Sequence, residues 1–190
     1  MDSILIRTLN VEKTNRHPVW FMRQAGRILP NYMQLKELYT FHELMNDKDL
    51  ASKVTLLPIQ DLNVDAAILF SDILVIPHAL GLDVEFKKTG PIFNNPLNFN
   101  SKAADLEFDS SKLNYIYNNI KQVQSDKNQN TPLIGFCGGP LTVFLFMFKR
   151  EGSKDHMKKA IKYLYENREE SKKILELITE SSIDYVKGQC

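Results

Sequence analysis

Arg23 and Arg27 stand four positions apart in the block RQAGR, immediately after the apolar run at residues 18–22 (PVWFM). Positions i and i+4 face the same way on a helix, and an even offset shares one face of a strand. On either element two guanidiniums can converge, with Gly26 between them allowing a close backbone approach. Paired arginine forks suit carboxylate or phosphate recognition, because each offers bidentate, charge-assisted hydrogen bonds. The same spacing also describes a solvated or salt-bridged pair at the start of a helix.

Asp72 is the second candidate. It is the only charge in residues 66–77 (AAILFSDILVIP) and follows an apolar run. A carboxylate just past the end of a buried strand lies where barrels and open α/β sheets place their active sites. Its plainer role is helix N-capping, which Asp72 and Ser71 both suit. A third block, residues 135–140 (GFCGGP), could offer backbone N–H groups to an anion. It lacks the Lys and Ser/Thr of a P-loop and does not match G-x-G-x-x-G, which favours tight strand-to-helix packing. The four histidines (His17, His42, His78, His156) are scattered, and none pairs with another His or Cys at metal-ligand spacing. Cys137 has no His or Asp beside it and reads as a small buried hydrophobe. No metal and no thiol chemistry is expected.

These groups need elements to hold them. Residues 18–22, 65–70 (DAAILF) and 133–137 (LIGFC) read as strands covered on both faces, since none alternates cleanly. Helical spacing follows at residues 49–62, which Pro58 should kink or end, and at residues 112–123. Two further helices are expected from Met157, Ala160, Ile161 and Leu164, and from Ile174, Leu177, Ile178 and Ser181, with a start between Asn167 and Glu170. Residues 83–88 with Thr89-Gly90-Pro91 read as a small strand and turn, residues 94–112 as a surface loop, and a helix should begin near Pro140. Strands alternating with amphipathic helices predict an α/β fold with parallel pairing, doubly wound or barrel.

The balance of 24 Lys+Arg against 23 Asp+Glu in 190 residues gives a net charge of +1, which argues against a nucleic-acid partner. Two cysteines exclude a disulfide scaffold and fit a reducing cytosol. The uncharged stretch at residues 131–148 is interrupted by Gly138-Gly139-Pro140, so no membrane span is expected. The first residues lack the apolar core and cleavage site of a secretory signal.

Residues 18–32 (PVWFMRQAGRILPNY) closely resemble the N-terminal motif of the uroporphyrinogen decarboxylase family. Residues 63–86 (NVDAAILFSDILVIPHALGLDVEF), the turn GPIF at residues 90–93 and residues 133–148 (LIGFCGGPLTVFLFMF) are similar to later family segments in the same order. The resemblance implies a single-domain (β/α)₈ TIM barrel. Since a full barrel needs about 250 residues, residues 1–190 would be its N-terminal portion, about the first half, apparently truncated. It further implies a cytoplasmic homodimer, without cofactor, metal, nucleic acid or membrane, acting as a carboxy-lyase of haem biosynthesis. The reaction removes carboxyl groups from the four acetate side chains of uroporphyrinogen III to give coproporphyrinogen III.

Carried over, Arg23 and Arg27 would bind substrate carboxylates, with Gln24, Ala25 and Gly26 shaping that wall. Asp72 would face the pyrrole N–H groups and stabilise positive charge developing on the ring. Phe146 stands where the family has Tyr, which removes a hydroxyl and should weaken activity. The family also supplies a Ser and a His from beyond residue 190. Two other readings remain: a truncated, inactive remnant that binds tetrapyrroles or dimerises, and a related corrinoid-dependent barrel methyltransferase. The latter uses zinc ligands, against which the absence of a visible Cys/His set argues.

Overall fold

The computed structural model describes residues 3–87 and 90–190. The chain is a mixed α/β protein whose contacts divide into two units, Met1–Ser71 with Tyr115–Phe136, and Asp72–Asn114 with Cys137–Cys190.

The first unit holds α1 (Ile4–Leu9), α2 (Pro30–Leu38), α3 (Phe41–Asn46), α4 (Lys48–Leu62), β1 (Ala67–Ile68), most of α6 (Asn114–Asp126) and β4 (Leu133–Ile134). Helix starts follow from their caps. Thr40 and Glu43 form a reciprocal capping box on α3, and the Asp47 carboxylate accepts the Asp49 and Leu50 N–H groups to open α4. Pro58 does not end α4. The helix runs four residues further to Leu62 with Pro58 on its buried face, and Asn63 closes it in a left-handed conformation. Packing of that face outweighs the one lost backbone bond. β1 and β4 pair in parallel, Ala67 opposite Leu133 and Ile68 opposite Ile134, with Ala66 and Ala67 fully buried. Polar ties lock the layers, Asn119 Nδ2 to the Met45 carbonyl at 2.7 Å and Ser52 Oγ to the Asp126 carboxylate at 2.7 Å.

Two strand expectations are shortened and one fails. The Phe70 N–H donates to Thr55 Oγ at 3.0 Å instead of to a neighbouring strand, so β1 stops before the apolar run does. Residues 18–22 form no strand and are not buried: Phe21 is 53% and Met22 82% exposed. Their apolar character is real, but the described residues provide neither a ladder partner nor a cover. Only Val19 meets β1's approach, its N–H donating to the Asp65 carboxylate and its carbonyl accepting the Asp65 N–H.

The second unit holds α5 (Val75–Ala79), the antiparallel pair β2 (Val84–Lys87) and β3 (Gly90–Phe93), α7 (Pro140–Phe146), α8 (His156–Glu166) and α9 (Arg168–Gln189). Lys88 and Thr89 of the expected turn lie outside the described residues. Pro140 takes the first position of α7, as its fixed φ favours. Residues 94–112 are loop with short 3₁₀ turns at Ala103–Asp105 and Ser110–Leu113, the latter leading into α6. α9 buries Ser171, Ile174, Ile178, Ser181, Ser182 and Tyr185 against α5, α7 and α8. Its apolar stripe matches the sequence pattern. In α8 the stripe is rotated: Ala160 and Tyr163 are buried while Met157 and Ile161 are exposed. The Tyr163 ring takes the inward position by packing on Phe144 and Phe148, a larger burial than either aliphatic offers.

Candidate functional site

The RQAGR block is neither helix nor strand. It is two successive turns, closed by Gln24 N–H to the Phe21 carbonyl at 3.1 Å and Leu29 N–H to the Gly26 carbonyl at 2.9 Å. Arg23 adopts a positive φ of 58°, a conformation that disfavours a side chain with a Cβ and persists where surroundings enforce it. The enforcing group is Gln24. Its side chain is buried, accepting the Phe21 N–H at 3.0 Å and donating to the Ala66 carbonyl at 2.8 Å, so the turn is bolted to the start of β1. Gly26 supplies the close approach: a Cβ there would lie 3.1 Å from the Arg23 carbonyl oxygen.

Both guanidiniums project from this braced turn into solvent. Among the described residues neither Arg23 nor Arg27 makes an ion pair or a side-chain hydrogen bond. Arg27 acts only at a distance, moderating the upward shift that burial imposes on the Tyr32 phenol. The salt-bridged alternative for this pair is therefore absent. A neighbour shows what pairing looks like here. Arg16 grips Asp65 with both terminal nitrogens at 2.6 Å, and Asp65 also accepts the Val19 N–H at 2.7 Å. The Arg16 guanidinium, with that N–H, holds the Asp65 carboxyl below the usual carboxylate range. The sequence assigned Asp65 no role beyond opening a strand. A lone carboxylate heading an apolar run, with an arginine ahead of it, is the signal that it needs a partner.

Asp72 and Phe146 belong to the second unit. Asp72 is half-buried at the turn into α5, one carboxylate oxygen accepting the Leu74 N–H at 2.8 Å. Leu74 occupies the cap position of α5 and has no side chain to cap it, so Asp72 fixes the turn from two residues upstream. Gly138 braces the same place. A Cβ on Gly138 would fall 2.9 Å from Ile73 Cβ and 2.7 Å from Val143 Cγ2, so only glycine lets this loop lie on Asp72's neighbour. The glycine-rich block thus works by packing, as its sequence favours.

Phe146 closes α7, its ring 6.0 Å from the His156 imidazole and 5.8 Å from the Lys149 ammonium. Burial, then Lys149, lowers the His156 pKa, an interaction that sequence spacing did not suggest. Cys137 is partly buried, which pushes its thiol up and fits an inert packing role. Among the described residues no group of three or more His, Cys, Asp or Glu could hold a metal ion, and no helix is long and apolar enough to cross a membrane.

Comparison with known proteins adds to this geometry. The family model described as Uroporphyrinogen decarboxylase (URO-D) matches residues 2–190. Among curated relatives, the uroporphyrinogen decarboxylase of Christiangramia forsetii is 38% identical over 189 residues, covering 98% of this chain and 55% of its own length. That of Campylobacter jejuni (serotype O:23/36) is 44% identical over 176 residues, covering 90% and 52%, and that of Rickettsia bellii 42% over 181 residues, covering 92% and 52%. The chain spans about half the length of these relatives. Among solved structures, a methyltransferase from Methanosarcina mazei is similar in fold at a TM-score of 0.72 and 18% identity, covering 100% of this chain and 56% of that one.

Proposed function

The chain belongs to the uroporphyrinogen decarboxylase family, and from that premise we propose that the protein takes part in converting uroporphyrinogen III to coproporphyrinogen III. The observation that carries this reading is the braced turn with two uncommitted guanidiniums. A substrate with eight carboxylates needs fixed, exposed cations that the fold has not already spent on its own acids. Arg23 and Arg27 meet that requirement and receive substrate carboxylates. Gln24 and Gly26 hold the turn, and Ala25 adds no bulk or charge between the arginines.

The chemistry needs an electron sink. A proton adds to the pyrrole carbon next to the acetate-bearing one and makes the ring cationic. The C–CO₂⁻ bond then breaks, its electron pair flows into the ring, and CO₂ leaves an exocyclic methylene. A proton adds to that methylene, and loss of the ring proton restores the pyrrole. Each acetate therefore consumes one proton net and releases one CO₂. Asp72, held by its bond to Leu74 N–H, stabilises the cationic ring as a fixed negative charge facing the pyrrole N–H groups. Phe146 contributes its ring to the wall but no hydroxyl. In the same reading residues 1–190 are the first half of one (β/α)₈ domain, and the working enzyme is a cytoplasmic homodimer.

The test is chromatography of the porphyrins formed from uroporphyrinogen III by the protein as its source makes it. We expect coproporphyrinogen III from the native protein and a rate lower by about 100-fold from Asp72→Asn, the size of losing one preorganised electrostatic contact. Asn still accepts the Leu74 N–H, so folding should be kept. No coproporphyrinogen from the native protein contradicts the reading, and near-normal turnover by Asp72→Asn contradicts the role given to that carboxylate.

A further inference from the structure

A cleft of about 620 Å³ opens in the second unit, separate in sequence from the RQAGR turn and from Asp72. Its size is that of a small-molecule site. Leu97, Phe99 and Phe148 supply apolar lining, and Arg150, Lys159 and Asp105 bring charge. The walls are tied in place rather than loose. Phe93 N–H donates to the Lys149 carbonyl at 2.9 Å and Leu97 N–H to the Met147 carbonyl at 2.8 Å, which fixes the two sides of the cleft to each other. The Tyr163 hydroxyl holds the Ser101 carbonyl at 2.5 Å, and the Glu170 carboxylate takes the Ala103 N–H at 3.1 Å.

The charges are unequally committed. Among the described residues Arg150 has no ion pair and no side-chain hydrogen bond. Lys159 is shared with Asp155 at 3.1 Å, and the Asp105 carboxylate already accepts the Lys102 N–H at 2.8 Å. With Lys159 already shared with Asp155, Arg150 is the uncommitted cation of the lining among the described residues. We propose that this cleft binds a small organic monoanion with a ring-sized apolar body, its carboxylate on Arg150 and Lys159 and its ring against Leu97, Phe99 and Phe148. A monoanion matches that one open cation. A polyanion would place further negative charge beside Asp105, and a bare inorganic anion would leave the apolar lining unused. This site stands independently of the decarboxylase reading.

Calorimetric titration of the protein as its source makes it, with 2-naphthoate as the probe, tests the proposal. Saturable binding at one site per chain is expected, weakened about tenfold by Arg150→Gln through loss of a charge-assisted contact. Arg150 is exposed, so this variant keeps the fold. The Arg23→Gln/Arg27→Gln variant should bind 2-naphthoate as the native protein does, which separates this cleft from the RQAGR turn. The neutral 2-naphthalenemethanol and inorganic phosphate should each bind about tenfold more weakly or not at all. No saturable heat, an unchanged affinity in Arg150→Gln, or a loss confined to the Arg23/Arg27 variant would each overturn the proposal. Equal binding of the neutral analogue or of phosphate would do the same.

Discussion

Arg16 and the pair Arg23/Arg27 lie on one short stretch of chain and meet opposite fates. Arg16 is locked in a two-pronged bond to Asp65, which also takes the Val19 N–H, so its charge serves the fold. Arg23 and Arg27 stand on a turn that is just as firmly held, but the holding is done by Gln24 and Gly26, and their charges stay open. The difference teaches that whether a cation stays open depends less on its neighbours in sequence than on whether another residue does the structural work. Braced backbone with an uncommitted charge is what a preorganised anion site requires.

That contrast can be broken at several points. The largest effect on stability is expected from Gln24→Ala. It strands the Phe21 N–H and the buried Ala66 carbonyl, and a loss of about 2 kcal/mol should follow in denaturant unfolding. The same variant should raise KM, because the arginines lose their platform. A raised KM with unchanged stability would mean Gln24 touches substrate instead of bracing the turn.

Asp65→Ala should cost somewhat less, about 1–2 kcal/mol once the solvent around Arg16 is allowed for, and leave KM alone. Its pH signature has a definite sign. The folded protein holds the Asp65 carboxyl below its ordinary value, so the unfolded chain takes up a proton first as pH falls. The stabilisation is complete above the unfolded value of about 3.9 and disappears as pH drops through the folded one. Unfolding followed from pH 6 to pH 2 should show a steeper fall for the native protein than for Asp65→Ala, and parallel curves would contradict the pairing. Gly26→Ala is the mildest. Its Cβ would press on the Arg23 carbonyl oxygen at 3.1 Å, and the turn can yield a few tenths of an ångström at a cost of about 1 kcal/mol. A small loss of stability with a measurable rise in KM is expected.

Much of this was legible in the sequence, unevenly. The helix at α9, the start of α7 at Pro140, the parallel pair formed by β1 and β4, and the packing role of the glycine-rich block all follow from local pattern and agree with the structure. Residues 18–22 misled because an apolar run reports only a wish for burial, while a strand also needs a ladder partner. The i, i+4 argument for Arg23 and Arg27 rested on an element that does not form, since the two residues sit on successive turns. Turn geometry depends on Gln24 reaching Ala66, a contact across 42 positions that no local spacing encodes. Pro58 and the rotated face of α8 were decided by tertiary packing, which outweighs propensity.

The central claim is that Arg23 and Arg27 are open for an anionic substrate while Arg16 is not. Steady-state kinetics with uroporphyrinogen III, run beside thermal unfolding on Arg23→Gln/Arg27→Gln and on Arg16→Gln, tests it most directly. The account predicts a fall in kcat/KM of about 100-fold or more for the double variant with Tm unchanged, and a lowered Tm with unchanged kcat/KM for Arg16→Gln. A double variant that loses Tm but keeps kcat/KM would contradict it.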